Sequence, residues 1–264
     1  MLPSKDKKRS MEKALTLLSM AAKNGANIVG FPELFTTGWF PQYKDNIEDN
    51  RHFAETLDGE TIALLKENAA KFGIVLIAPF FELFDGGYFN SCAVIDADGA
   101  VLGAYRQIHL PELEFYHERS YFSAGDNIPV FNTKFGTIGV VMCWDNFYPE
   151  VSRILAIKGA KIIFAPTASA FNTNNKWFLA ISANAFTNGI YILRINRVGK
   201  DGDLDFYGKS FCIAPDGSLV DNFAGLNECA LIYNLETNEI NRARKAWPLI
   251  ENRVAEVYKE ILQK

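Results

Sequence analysis

The character of the strand-forming segments constrains this chain most. Asn27 to Phe31, Ile74 to Phe80, Cys92 to Asp96, Thr137 to Met142, Lys161 to Ala165 and Ile190 to Asn196 are short and keep their apolar character on both faces. A sheet built from such strands needs a covering layer on either side. Helical segments between them can supply it. Residues 5 to 24 follow Ser4, a candidate N-cap, and carry Met11, Leu15, Leu18 and Ala22 at helical spacing before Gly25. Glu60 to Phe72 is closed by Gly73, Pro149 to Lys158 has proline in its first turn and Gly159 after it, and a further helix covers about residues 175 to 188. The Asp96-Ala97-Asp98-Gly99 turn predicts a hairpin between Cys92–Asp96 and Ala100–Gln107. Hairpins mixed with helical crossovers imply mixed sheets in one layered α/β domain spanning the 264 residues.

Val130 to Asn132, Gly208 to Ala214 and Cys229 to Asn234 read as further strands, and helical segments close the chain. Trp247 to Lys264 is amphipathic, with Val254, Val257, Ile261 and Leu262 on one side; it could dock on a neighbouring subunit, and packing on its own domain is the simpler reading. Residues 108 to 128 have no clear period, and a stretch that long in a compact domain points to function.

Charge narrows the partners. Against 31 Asp+Glu the chain sets 27 Lys+Arg, a net charge of −4, which gives no general reason to bind nucleic acid or an acidic membrane surface. No apolar run approaches the ~20 residues that span a bilayer. MLPSKDKKRS is basic without the apolar core of a secretory signal, which places the chain in the cytosol. The four cysteines include no C-x-x-C pair and read as reduced thiols, three of them core filler. A small-molecule site is the better expectation.

Three stretches carry residues for it. Cys143, in GTIGVVMCWDNFYPE from Gly136 to Glu150, stands at the exit of a buried strand ahead of a helix. Free backbone N–H groups and a positive dipole end there favour thiolate and could bind an oxyanion. The plain alternative is a buried core thiol. Glu33, in Phe31-Pro32-Glu33-Leu34, follows an apolar strand, where ligand sites in α/β sheets gather. Among Phe31, Leu34, Phe35 and Trp39 its carboxylate would be desolvated, its pKa raised, and the group fitted to act as base and then acid; standing alone it would be a solvated loop glutamate. The third stretch, Tyr105 to Pro111 and on to Glu118, offers His109 or His117 as a base for Cys143, although a histidine at a strand exit more often has a structural hydrogen-bonding role.

Together these stretches resemble the nitrilase superfamily of carbon–nitrogen hydrolases, from about residue 5 to 250. The carriers are GANIVGFPELFTTGW around Glu33, YRQIHLPELEFYHERSYFSAGD from Tyr105 to Asp126, the Cys143 segment, and the later RINRVG and FYGKSFCIAPDG. The likeness is strongest to the branch that hydrolyses N-carbamoyl amines. It implies a four-layer α-β-β-α sandwich, a homodimer or higher homo-oligomer, and hydrolysis of a linear amide or N-carbamoyl amine without metal or organic cofactor. By the same resemblance Cys143 is the nucleophile, Glu33 the general base and then acid, and Glu118 an additional glutamate that positions groups. Trp144 would donate its backbone N–H to the oxyanion. Trp39, Trp144 and the aromatics of residues 113 to 122 would line a pocket suited to an apolar or cationic tail.

Two departures stand out. Gln107 occupies the position of the family's catalytic lysine, and no neighbouring residue supplies an ammonium. The triad is incomplete, which implies slow or absent turnover and gives weight to a second reading, a nitrilase-like binding protein without catalysis. Family members also begin with an inner strand ahead of the first helix, and this chain opens almost at the helix itself, so a core strand is expected to be missing.

Overall fold

The computed structural model describes residues 1–4, 6–45 and 47–263. Its first helix, α1 (Lys7–Lys23), leads into β1 (Ile28–Gly30), and β1 lies parallel to β2 (Val75–Phe84). Between them come a one-turn helix, α2 (Ile47–Asn50), and α3 (Glu60–Phe72). β2 turns back into β3 (Gly87–Ile95), which pairs antiparallel with β4 (Val101–Arg106), giving the order β1-β2-β3-β4. Residues 108 to 128 contain a small hairpin, β5 (Glu112–Leu113) with β6 (Tyr116–His117), and one helical turn, α4 (Glu118–Tyr121).

The second sheet takes β7 (Val130–Thr133), β8 (Gly136–Val140), β9 (Ile162–Thr167), β10 (Tyr191–Asn196) and β13 (Phe211–Ile213) in the order β13-β10-β9-β8-β7. Its three central strands run parallel through the crossover helices α5 (Pro149–Ile157) and α6 (Asn174–Asn188), and both edges are antiparallel. A separate hairpin joins β11 (Val198–Asp201) to β12 (Leu204–Tyr207), and α7 (Thr237–Ala246) follows.

The side chains explain the layering. Along β2, Val75 and Ile77 point one way and Leu76, Ala78 and Phe80 the other. The second set packs on Leu18 of α1 and Ile62, Leu65 and Ala69 of α3. Val75 and Ile77, with Cys92, Val94 and Tyr105, meet Ile138, Val140 and Phe164 of the other sheet. That sheet's far face takes Val151 and Leu155 of α5 and Trp177, Ile181 and Ala185 of α6. The fold is the four-layer α-β-β-α sandwich with mixed sheets.

Several local expectations need correction. Asp6, not Ser4, caps α1, its carboxylate accepting from Lys8 N. Gly208 and Lys209 have φ of 64° and 51°, so the strand expected from Gly208 begins only at Phe211. The long β2–β3 hairpin turns on Asp85 and Gly86, both with positive φ, a short turn signal the apolar runs conceal. Cys229 to Asn234 forms no strand. It is exposed apart from the half-buried Tyr233, and a cavity of about 600 Å³ lies between it and β1, lined by Ile28 to Phe31 on one side and Cys229 to Thr237 on the other. β1 is the edge of its sheet there. Cys229 is exposed, leaving Cys92 and Cys212 as the core-filling thiols. The apolar side of the C-terminal stretch does not pack on its own domain: Val254, Val257, Ile261 and Leu262 are all exposed. Among the described residues no helix is long and apolar enough to cross a membrane.

Candidate active site

The loops that leave β1, β4 and β8 converge at one end of the sandwich, and each brings one residue singled out by sequence. β8 ends at Val140; the N–H of the next residue, Val141, donates to Phe164 O, and the chain then turns sharply into a 3₁₀ turn opening at Cys143. Cys143 has φ of 40°, a left-handed conformation uncommon for any residue but glycine, which stores strain at this elbow. Asn146 holds the turn through Nδ2, donating to Val141 O at 3.0 Å and Cys143 O at 2.9 Å. Asn184 of α6 in turn donates to Asn146 O at 2.9 Å.

Glu33 follows β1 and is completely buried. Its loop is clamped by Arg197, which donates to the carbonyls of Glu33, Leu34 and Thr37 and ion-pairs with Asp201 at 2.7 Å. Asn90 of β3 donates to Glu33 Oε1 at 2.6 Å and to Gln107 Oε1 at 2.7 Å, bridging the two side chains. Gln107 Nε2 donates to His109 O at 3.1 Å. Glu118, at the start of α4, closes the group, and donor atoms of Glu33, Glu118 and Cys143 all lie within 4.8 Å of one another. These three could share a proton or a cation; among the described residues they are the one such His/Cys/Asp/Glu group.

The electrostatics follow from two buried carboxylates around a thiol. Burial raises Glu33 to about 7, against the hydrogen bonds from Cys143 and Asn90 and the nearby Arg197 charge. Burial and the Glu33 charge push Glu118 well above the usual carboxylate range, while the Gln107 amide works in the opposite direction. Cys143 is raised as well, by burial first and then by Glu33 and Glu118. The sequence expectation of a thiolate is not met in the resting site: the helix end lies beyond the 3₁₀ turn, and burial beside two carboxyl groups favours the neutral thiol.

The structure pairs the two candidate histidines with carboxylates other than those beside the thiol. His109 Nδ1 pairs with Asp145 at 2.7 Å and its ring stacks on Tyr148, while His117 pairs with Glu112. Trp144 is half-buried and packs edge-on against Phe147. Trp39 is fully enclosed against Tyr116 and Phe206, its indole N–H donating to Phe115 O, so it buttresses the aromatic loop. Asn90, Asp145 and Arg197 escaped the sequence reading; Asn90 and Arg197 are polar groups in or beside apolar strands, which is the signal that could have found them.

The carbon–nitrogen hydrolase family model matches residues 2–245. The chain belongs to the carbon–nitrogen hydrolases. It is 34% identical over 263 residues to an N-carbamoylputrescine amidase of Solanum lycopersicum, covering 93% of this chain and 87% of that protein. A citrullinase of Francisella tularensis is 33% identical, over 97% of this hydrolase and 93% of its relative. In three dimensions the hydrolase matches a carbon–nitrogen hydrolase from Helicobacter pylori G27 with a TM-score of 0.94 at 29% identity, covering 100% of this chain and 97% of the other.

Proposed function

We propose that this hydrolase cleaves the C–N bond of a linear amide or N-carbamoyl amine through a thioacyl intermediate on Cys143. The observation that carries the reading is the enclosed meeting of Glu33, Glu118 and Cys143 within 4.8 Å. Glu33 takes the thiol proton as sulfur attacks the carbonyl carbon, and the tetrahedral oxyanion is met by the Trp144 backbone N–H. Collapse expels the amine, which leaves with the proton from Glu33. Water then gives a proton back to Glu33 and attacks the thioester, releasing the acid or carbamate and restoring the thiol. The N-carbamoylputrescine amidase and citrullinase relatives support an N-carbamoyl or other linear amide substrate.

Gln107 makes this machinery slow. Its carbonyl is held by Asn90 and its amide by His109 O, so it brings hydrogen bonds but no charge to a site with two carboxylates. That same observation favours the second reading, a binding protein that keeps the pocket and has lost turnover. Ammonia or amine release from a panel of linear amides and N-carbamoyl amines tests the first, and Gln107→Lys separates the two: a large gain supports an enzyme lacking one cation, whereas no gain supports the binding protein. Two further parts of the proposal have their own support. The exposed apolar side of the C-terminal stretch fits a homodimer, which light scattering would report, and four unpaired cysteines fit a cytosolic location.

A further inference from the structure

Two arginines stand three residues apart at the end of β10, and they are treated differently. Arg197 spends both Nη groups on three carbonyls and a carboxylate and leaves only Nε without a partner. Arg194, only 1% exposed, has a single hydrogen bond, from Nη2 to the Tyr207 hydroxyl at 3.0 Å. Its Nε and Nη1 have no partner, and no carboxylate pairs with it among the described residues. The guanidinium lies instead among rings, 4.7 Å from the centre of Trp177, 5.4 Å from Tyr207 and 5.7 Å from Phe211. Aromatic faces attract a cation but do not satisfy N–H groups, and a buried charge with open donors is costly to keep.

Its position gives the cost a purpose. Cys143, Trp177 and Phe211 belong to one packed cluster, and Phe147 of the Cys143 turn packs against Trp177 with ring centres 4.4 Å apart and planes tilted by 48°. Ser169 hydrogen-bonds Tyr207 and Trp177, and the adjoining Ala168 backbone faces both Glu33 and Cys143. Burial lowers the pKa of Arg194, while Tyr207, Cys143 and Tyr116 act as electron-rich neighbours that raise it. The remaining Nη2 hydrogen and the open nitrogen on its side form a planar two-pronged edge of the kind that matches a carboxylate.

We propose that Arg194 binds a carboxylate on the substrate, so that this hydrolase acts on short anionic amides, such as the monoamide of a dicarboxylic acid or an N-carbamoyl amino acid. The inference rests on the hydrolase reading of the same site and reverses the apolar or cationic tail that its aromatic residues alone suggest. An anion here restores the missing donors' partners, and an ammonium tail is repelled.

Succinamic acid, butyramide and 4-aminobutyramide form a matched carboxylate, neutral and cationic series. The wild type is expected to favour succinamic acid over butyramide by about 10²-fold in kcat/KM, with 4-aminobutyramide last. Arg194→Gln should cut that preference at least tenfold, mainly through KM, and Arg194→Lys should restore part of it. An equal loss on all three amides, or an unchanged preference, overturns the proposal. Calorimetric binding of succinamic acid to Cys143→Ala protein, with and without Arg194→Gln, decides the anion site even if no amide is turned over: binding that depends on Arg194 upholds it, and binding that is absent or indifferent to Arg194 rejects it. Failure of all turnover together with Arg194-dependent binding would count against the hydrolase reading alone.

Discussion

Two sets of buried carboxyl groups meet at the turn that carries Cys143 and are built on opposite terms. Asp145 accepts from the Tyr105 hydroxyl at 2.5 Å, from the backbone N–H groups of Ile108 and His109, and from His109 Nδ1. Its carboxylate is saturated, and it ties the loop that carries Gln107 to the turn that carries Cys143. Glu33 and Glu118 are left open: Glu33 Oε2 and both Glu118 oxygens lack a hydrogen bond of normal geometry. A satisfied buried charge fixes structure, whereas an unsatisfied one keeps its protons movable, and mobile protons are what acyl transfer requires.

The largest effect falls on the open cluster. Cys143→Ala should abolish amide hydrolysis, a drop of about 10⁴-fold or more where turnover is measurable, with the melting temperature nearly unchanged. The closed cluster should answer in stability instead. Asp145→Ala leaves a buried tyrosine hydroxyl and two half-buried backbone N–H groups without their acceptor, and should cost about 3–5 kcal/mol in urea or thermal unfolding. Loss of activity at full stability in that variant would erase the distinction.

Gln107→Lys comes next. An ammonium among Glu33, Glu118 and Cys143 favours their charged forms and meets the developing oxyanion, so kcat should rise by about 10²–10³-fold. The smallest effect is the pH profile. Glu33 is raised to about 7, so it holds its proton below that pH and serves as a base above it; kcat/KM for a neutral amide should rise through an inflection near 7. Gln107→Lys should move that inflection down. A profile flat from pH 5 to 8 would remove Glu33 from the role of base.

Much of this comparison could be read before any coordinates. The apolar strands and capped helices defined the layers because burial on both faces leaves few other arrangements, and α3 runs from Glu60 to Phe72 with Gly73 in the left-handed cap, as its sequence predicts. Cys143, Glu33 and Glu118 were legible as motif residues. Their protonation was not, since it depends on which charges lie across the fold, and the missing ammonium at Gln107 matters only once both carboxylates are known to face the thiol. Asp145 was hidden for a similar reason: its four donors come from residues 105 to 109, some 36 to 40 positions away. Arg194 did show one local signal, a guanidinium inside the apolar run Tyr191 to Ile195. The segment Cys229 to Asn234 misled because a strand-like composition does not make a strand until the segment pairs with an edge, and it lies across a cavity from the β1 edge.

Acid-quenched mass spectrometry during incubation with a linear amide or N-carbamoyl amine, followed by peptide mapping, tests the central role of the open cluster most directly. An acyl or carbamoyl adduct on Cys143, accumulating in the wild type and absent from Cys143→Ala, is the expected result. Amide hydrolysis proceeding with no adduct on Cys143, or with the adduct on another residue, would contradict it.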